Sequence, residues 1–216
     1  MRQRSSRLFE QFFTTNLDLG CCRNSVEAAL NILVECFRRG NKLLVCGNGG
    51  SAADAEHIVG ELMKGYKLPR TLEERKLSLL RDLFPDEGQQ LGEKLQEAHP
   101  AISLVSQTSL CTAIANDTGA AMVFAQQVYG YGIAGDVLLA ISTSGEAKNV
   151  TYAVKTSKAF DLKTIGLTGK ADSPLSGLCD VTIQVPAVIT DQVQEYHMKV
   201  YHHLCAVLEV EFFGGQ

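Results

Sequence analysis

Short apolar runs that end in a glycine- or serine-rich turn and lead straight into a helix-forming stretch recur along this sequence, and they constrain the fold more than any other feature. KLLVCG (42–47) runs into NGGS (48–51) and then the helical ADAEHIVGELMKG. DVLLAIS (136–142) runs into TSGEAKNV and a helical stretch to about Phe160. AISLVS (101–106), KTIGLTG (163–169) and DVTIQV (180–185) are runs of the same kind. Apolar runs this short and this continuous are strands buried on both faces. Strands alternating with helices make a parallel sheet covered on both sides. The pattern predicts an α/β three-layer sandwich around a five-stranded parallel sheet, with further helices over 5–17, 24–38, 109–115, 119–129 and 191–212. Residues 71–98 differ. LEERKLSLLRDLF and GEKLQEA are charged and helical, separated by Pro85 and Gly88, and together too short for a core of their own. They are read as a helical insertion within one domain spanning 1–216.

Composition narrows the function classes. A chain of 216 residues can bury a sizeable core without disulfides or structural metals. It carries seven cysteines, an odd number with no CxxC pair, mostly inside apolar runs. Reduced cysteine behaves there as a small hydrophobe, which points to a reducing, cytoplasmic compartment. The segment MRQRSSRLFEQFF lacks the apolar h-region of a signal peptide. No run of eighteen apolar residues offers a membrane span. A formal net charge of −4 argues against a nucleic-acid partner. A small anion could still be held by local dipoles.

Two turns offer such dipoles. Ligands of open α/β sheets bind beyond the carboxyl ends of the strands. GNGGS (47–51) sits at one such end, where a helix N-terminus presents unpaired N–H groups and glycines let an anion approach. The alternative is a tight strand-to-helix turn with no ligand. Gly47, Gly49 and Ala52 also fit the dinucleotide pattern G-x-G-x-x-A, but the expected acidic residue ending a second strand is missing from ELMKGYKLPR. At the second turn, Ser142, Thr143 and Ser144 precede Gly145 and a helix start. Three hydroxyls suit the acceptor oxygens of a phosphate. Ser144 alone could instead be a helix N-cap. LTGK (167–170) repeats the arrangement more weakly and is assigned no ligand.

GNGGSAADAEH followed by ISTSG and the terminal QEYHMKVYHH resembles the sugar isomerase (SIS) domain. Within that superfamily the chain resembles the phosphoheptose isomerases, which convert sedoheptulose 7-phosphate to a heptose 7-phosphate. The similarity covers about 41–66 and 103 to the C-terminus. It implies a flavodoxin-like SIS fold, a homotetramer with sites shared between subunits, and an enediol(ate) route between aldose and ketose. Carried over by position, Asn48, Gly49, Gly50 and Ser51 correspond to the first substrate loop. Asn116 and Asp117 match a dipeptide that contacts the sugar, and Ser142, Thr143 and Ser144 match the phosphate cradle. Glu61 corresponds to the catalytic base and His202 to the catalytic acid. His57, Glu61, Gln194 and His202 correspond to the ligands of zinc-bearing members, Gln194 also being a substrate contact. The chain departs from the pattern at Ala147, where a second serine is usual, and at Gly65, where ELMKGYK replaces a frequent arginine with nearby Lys64 and Lys67.

The chemistry has support in the residues themselves. His57 and Glu61, spaced i, i+4, share one helix face, on a helix that starts at the first turn. Aldose–ketose exchange needs a base for the proton beside the carbonyl and an acid or metal for the enediolate oxygen. From spacing alone, a solvated glutamate and an interfacial histidine remain open. Gln194 and His202 lie eight residues apart, about 12 Å along a helix. A shared ion would therefore need a subunit crossing or a bent helix. His197 and His203 are expected at the surface or in an interface, and His99 in a loop. The rival function is a non-catalytic SIS module that binds a phosphosugar or a protein partner, as a replication-initiator-associating relative does as a tetramer. Retention of His57, Glu61, Gln194 and His202 together favours the enzyme.

Overall fold

The structure is a computed structural model that describes residues 1–215. The chain opens with α1 (Gln3–Thr15) and α2 (Arg23–Arg38), joined by a 3₁₀ turn over Leu17–Cys22. Then come β1 (Leu43–Cys46), α3 (Gly50–Met63), α4 (Glu74–Leu83), α5 (Gly88–Lys94) and β2 (Ala101–Ser103). The second half runs through α6 (Thr108–Ile114), α7 (Val123–Tyr131), β3 (Val137–Ile141), α8 (Lys148–Ala159), β4 (Lys163–Thr168), α9 (Pro174–Leu178), β5 (Val181–Gln184) and α10 (Thr190–Phe213).

The five strands pair in the order β2-β1-β3-β4-β5, all parallel. Alternating side chains feed two cores. Leu43, Val45, Val137, Leu139 and Ile141 face α1, α2, α3 and α10. Leu44, Cys46, Leu138 and Ala140 face α7 and α8. Every residue of β1 and β3 is buried, which is why these segments read as continuous apolar runs rather than alternating ones.

The differences from expectation have local causes. The first helix stops at Thr15, because Asn16 leaves the helical region at φ −121°. Of the predicted 101–106 strand, Ala101–Ser103 pair in register with β1 and Leu104 adds one amide bond to Val45 before the chain turns away. The helix predicted from 119 starts at Val123, since Gly119 sits at φ +107° after a π-helical turn over Ala115–Gly119. The short α9 has no counterpart in the helices expected from the sequence. Ser173 and Ser176 close a capping box ahead of it, with Pro174 at its first position.

Within 71–98, α4 and α5 lie against each other. A side chain at Gly92 would run into Leu77, and one at Gly88 into the Leu80 carbonyl. A Thr71–Gln96 bridge and a Lys76–Glu97 ion pair of 2.6 Å close the base of this pair.

Candidate active site

The strand order reverses direction at β1 and β3, which are neighbours in the sheet although about ninety residues apart in sequence. Open sheets bind ligands in the crevice at such a point. The two turns singled out in the sequence follow these two strands. Gly49 takes φ +58° as the chain turns into α3, a conformation that favours glycine. Across the crevice, Asn48 and Asn149 exchange amide hydrogen bonds of 2.9 Å in both directions. Ser144 does not cap α8: the helix starts at Lys148 behind Ala147, with no side-chain cap bond. Ser142 instead accepts from the Gly145 amide at 3.1 Å. Gly145 lies at φ +70°, where a Cβ would overlap the Ser173 hydroxyl. Asn48–Ser51 and Ser142–Ser144 together line a cavity of about 350 Å³, with Ala147 and Gln194 in its wall.

A second cavity of about 590 Å³ shares Gly50 and Gln194 with the first and extends along α10 to His202. The Gln194 amide lies directly on Gly50, where any Cβ would collide with it. Beyond it, His57, Glu61 and His202 converge, with one ligand atom from each within 4.8 Å of the others. His57 Nε2 lies 3.1 Å from Glu61 Oε1 and 3.5 Å from His202 Nε2. Glu61 Oε2 is buried and has no hydrogen-bond partner among the described residues. One carboxylate and two imidazoles gathered this closely form a donor set that suits zinc. His202 stacks on Tyr66 at 5.7 Å with the rings 17° apart. Burial, then His57 and Lys67, hold its pKa below the ordinary imidazole value, against the pull of Glu61.

Other predicted residues stand apart. Gln194 and His202 both belong to the single helix α10, and Gln194 lies at the cradle end of it while His202 joins the cluster. Asn116 and Asp117 occupy the exposed π-helical turn, bonded to each other at 2.8 Å. His197 and His203 are not at the surface of the chain. They are 0% and 5% exposed, because they lie on the side of α10 that carries Val193, Val200, Leu204 and Val207 into the core, while Glu195, Met198 and Lys199 stay exposed. His203 stacks on Phe12 at 4.0 Å. His99 is in a loop as expected, but buried against Phe37 at 4.3 Å.

The sequence reading missed what holds the cluster. Arg70 and Glu209 are 0% exposed and pair at 2.8 Å. Arg70 donates to the carbonyls of Leu62 at 2.7 Å and Glu61 at 2.9 Å, the free end of α3. Glu209 accepts from the amides of Tyr66, Lys67 and Leu68. One ion pair thus fixes both the end of the helix bearing Glu61 and the segment bearing Tyr66. The available signal was Glu209 itself, an acid set in the apolar stretch LCAVLEVEFF.

Comparison with known proteins gives the family of the chain. SIS domain families match residues 21–92 and 112–210. A phosphoheptose isomerase from a Nitratiruptor species is 40% identical over 190 residues, covering 88% of this chain and 88% of that protein. The chain belongs to the phosphoheptose isomerase family. Another member, from Shewanella frigidimarina, is 35% identical and matches 99% of this chain and 97% of its own. The solved structure of phosphoheptose isomerase from Neisseria gonorrhoeae superposes with a TM-score of 0.70 at 30% identity, covering 95% of this chain and 93% of that one. That from Francisella tularensis gives 0.73 at 27% identity, covering 94% and 95%. The five-stranded α/β sheet is therefore that of phosphoheptose isomerases, and the chain is an isomerase of the phosphosugar class. Among the described residues no helix is long and apolar enough to cross a membrane.

Proposed function

We propose that this isomerase interconverts sedoheptulose 7-phosphate and a heptose 7-phosphate by proton transfer through an enediol(ate). The carrying observation is the convergence of Glu61 with His57 and His202, the last of which closes the cavity that runs back along α10 to Gln194 and the two glycine- and serine-rich turns. The Asn48–Ser51 and Ser142–Ser144 turns hold the phosphate. Gln194, at the junction of the two cavities, contacts the sugar between the ends. Asn116 and Asp117 contact it from a further turn. Glu61 takes the proton from the carbon beside the ketose carbonyl, and His202 donates one to the carbonyl oxygen, giving the enediol. Glu61 then returns its proton to the former carbonyl carbon, while the hydroxyl proton of the adjacent carbon leaves to His202 and the aldose forms.

His57, Glu61 and His202 are the residues that would hold zinc, and Gln194, at the cradle end of α10, would join them from a neighbouring subunit. Bound zinc supplies Lewis-acid stabilisation at the sugar oxygens. We also propose a homotetramer with sites shared between subunits, a cytoplasmic location in keeping with seven free thiols, and a single SIS domain over 1–216 in which 71–98 is an insertion. The test is a metal assay on purified protein together with a panel of ketose phosphates in deuterated water. Wild type should exchange the α-proton of sedoheptulose 7-phosphate, and Glu61→Gln should slow exchange by about 10²–10⁴-fold. Equal exchange in both would remove Glu61 as the base.

A further inference from the structure

Tyr201 sits one residue before His202 on α10, 1% exposed, in a position that the mechanism does not use. Its hydroxyl lies 3.0 Å from His57 Nδ1, the ring nitrogen facing away from the cluster. The carboxyl of Asp54, on α3, lies near enough to act on the same hydroxyl, whose one formed hydrogen bond among the described residues is the one to His57. Asp54 is 8% exposed, borders the larger cavity, and its Oδ2 has no hydrogen-bond partner among the described residues. Asp54, His57 and Glu61 stand at i, i+3 and i+7 of α3, so one helix face carries all three. The result is a file of groups: carboxyl, phenol, imidazole, then the convergent ligand atoms.

The polarity of that file decides what His57 can do. A phenol has one proton to donate. A carboxylate is the stronger acceptor, because its bond is charge-assisted. With the phenolic proton turned to Asp54, the tyrosine oxygen offers a lone pair to His57 Nδ1, which must then carry the hydrogen. Nε2 is left with its own lone pair, aimed at the space it shares with Glu61 Oε1 and His202 Nε2. The opposite polarity would protonate Nε2, and Glu61 Oε1 at 3.1 Å would tie that proton in place.

We propose that Asp54 and Tyr201 are positioning residues that fix His57 as the Nδ1–H tautomer, presenting Nε2 to a divalent cation shared with Glu61 and His202. This rests on the metal-site part of the function proposed above. Partners of this kind orient a ligating imidazole, and losing them weakens metal binding by about 10–100-fold.

The experiment measures zinc affinity by competition with a chromophoric chelator, at one pH and one protomer concentration. It compares wild type, Tyr201→Phe, Asp54→Ala and the double variant. Phenylalanine keeps the buried ring, and near-ultraviolet circular dichroism confirms each fold. Each single variant should bind zinc about 10–100-fold more weakly. The double variant should lose no more than the worse single, because both act through one imidazole. Long-range ¹H–¹⁵N spectra of the zinc-loaded, histidine-labelled protein should show His57 protonated at Nδ1, with that proton exchanging faster in Tyr201→Phe. Wild-type zinc binding with variants within twofold, additive losses, or metal on Nδ1 would overturn the inference and leave the metal site standing. A wild type that binds no zinc, or binds it equally well as His57→Ala, would overturn the metal site and this inference with it.

Discussion

Replacing Glu209 by glutamine tests how the interior ion pair supports the site. The side chain keeps its shape, and its carbonyl oxygen can still accept from backbone amides of 66–68. What disappears is the charge that Arg70 needs, 2.8 Å away and with no exposure to water on either side. Stranding one member of a buried pair costs about 3–5 kcal/mol. For a chain of this size each kcal/mol moves Tm by about 2–4 °C, so Glu209→Gln should melt about 6–20 °C lower. Urea titration at fixed protomer concentration should show a lower midpoint with an unchanged slope. Arg70→Met combined with Glu209→Gln removes the stranded cation. The double variant should therefore be more stable than the sum of the single losses allows, by about 0.5–3 kcal/mol. Turnover should fall further than the unfolded fraction explains, since the pair also holds the Glu61 carbonyl and the Tyr66 amide. A Glu209→Gln protein melting within about 2 °C of wild type, or additive losses in the cycle, would refute the reasoning.

Three further outcomes follow from the geometry. Gly145→Ala places a Cβ at φ +70° against Ser173, adding about 1–2 kcal/mol of backbone strain. Competitive inhibition by inorganic phosphate should weaken by tenfold or so, while Ser78→Ala, on α4, should leave it unchanged. Gly50→Ala must push the Gln194 amide away. A displacement of that size should lower kcat by about 10²-fold, with zinc content measured in parallel. Acid stability reports the buried imidazoles: desolvation pushes His99 down to about 3 and His197 and His203 to about 4, against 6.5 for the free side chain. The unfolded chain then binds the extra protons, so stability is intact above about pH 6.5 and drains away as pH falls toward 4. His99→Phe, which keeps an aromatic ring against Phe37, should make that decline shallower in pH-dependent urea titrations.

The sheet and the two turns were legible because their signals are local. A strand buried on both faces must be apolar throughout, as LLVC and VLLAI are, and a turn entered at positive φ favours glycine, as at Gly49 and Gly145. His57 and Glu61 were legible through helical spacing and resemblance together. The supports were not. Arg70 lies in a loop whose sequence carries no period, and its partner is 139 residues away. Tyr201 looks like an ordinary core aromatic until its hydroxyl is seen at His57 Nδ1. The histidines of α10 were misplaced for a related reason: polar residues on a helix suggest a wet face, but His197 and His203 share the core side of this helix with its valines and leucines and are held neutral inside.

The neighbouring placement of β1 and β3 has a consequence for how such proteins diversify. Cys46 pairs with Ala140 across one step of the backbone ladder, a gap of about 4.8 Å that no side chain sets. The spacing of the two turns is therefore inherited from the sheet's own repeat. The long stretch of chain between those strands can be lengthened, shortened or rewritten at little entropic expense, while the spacing of the two turns stays constant.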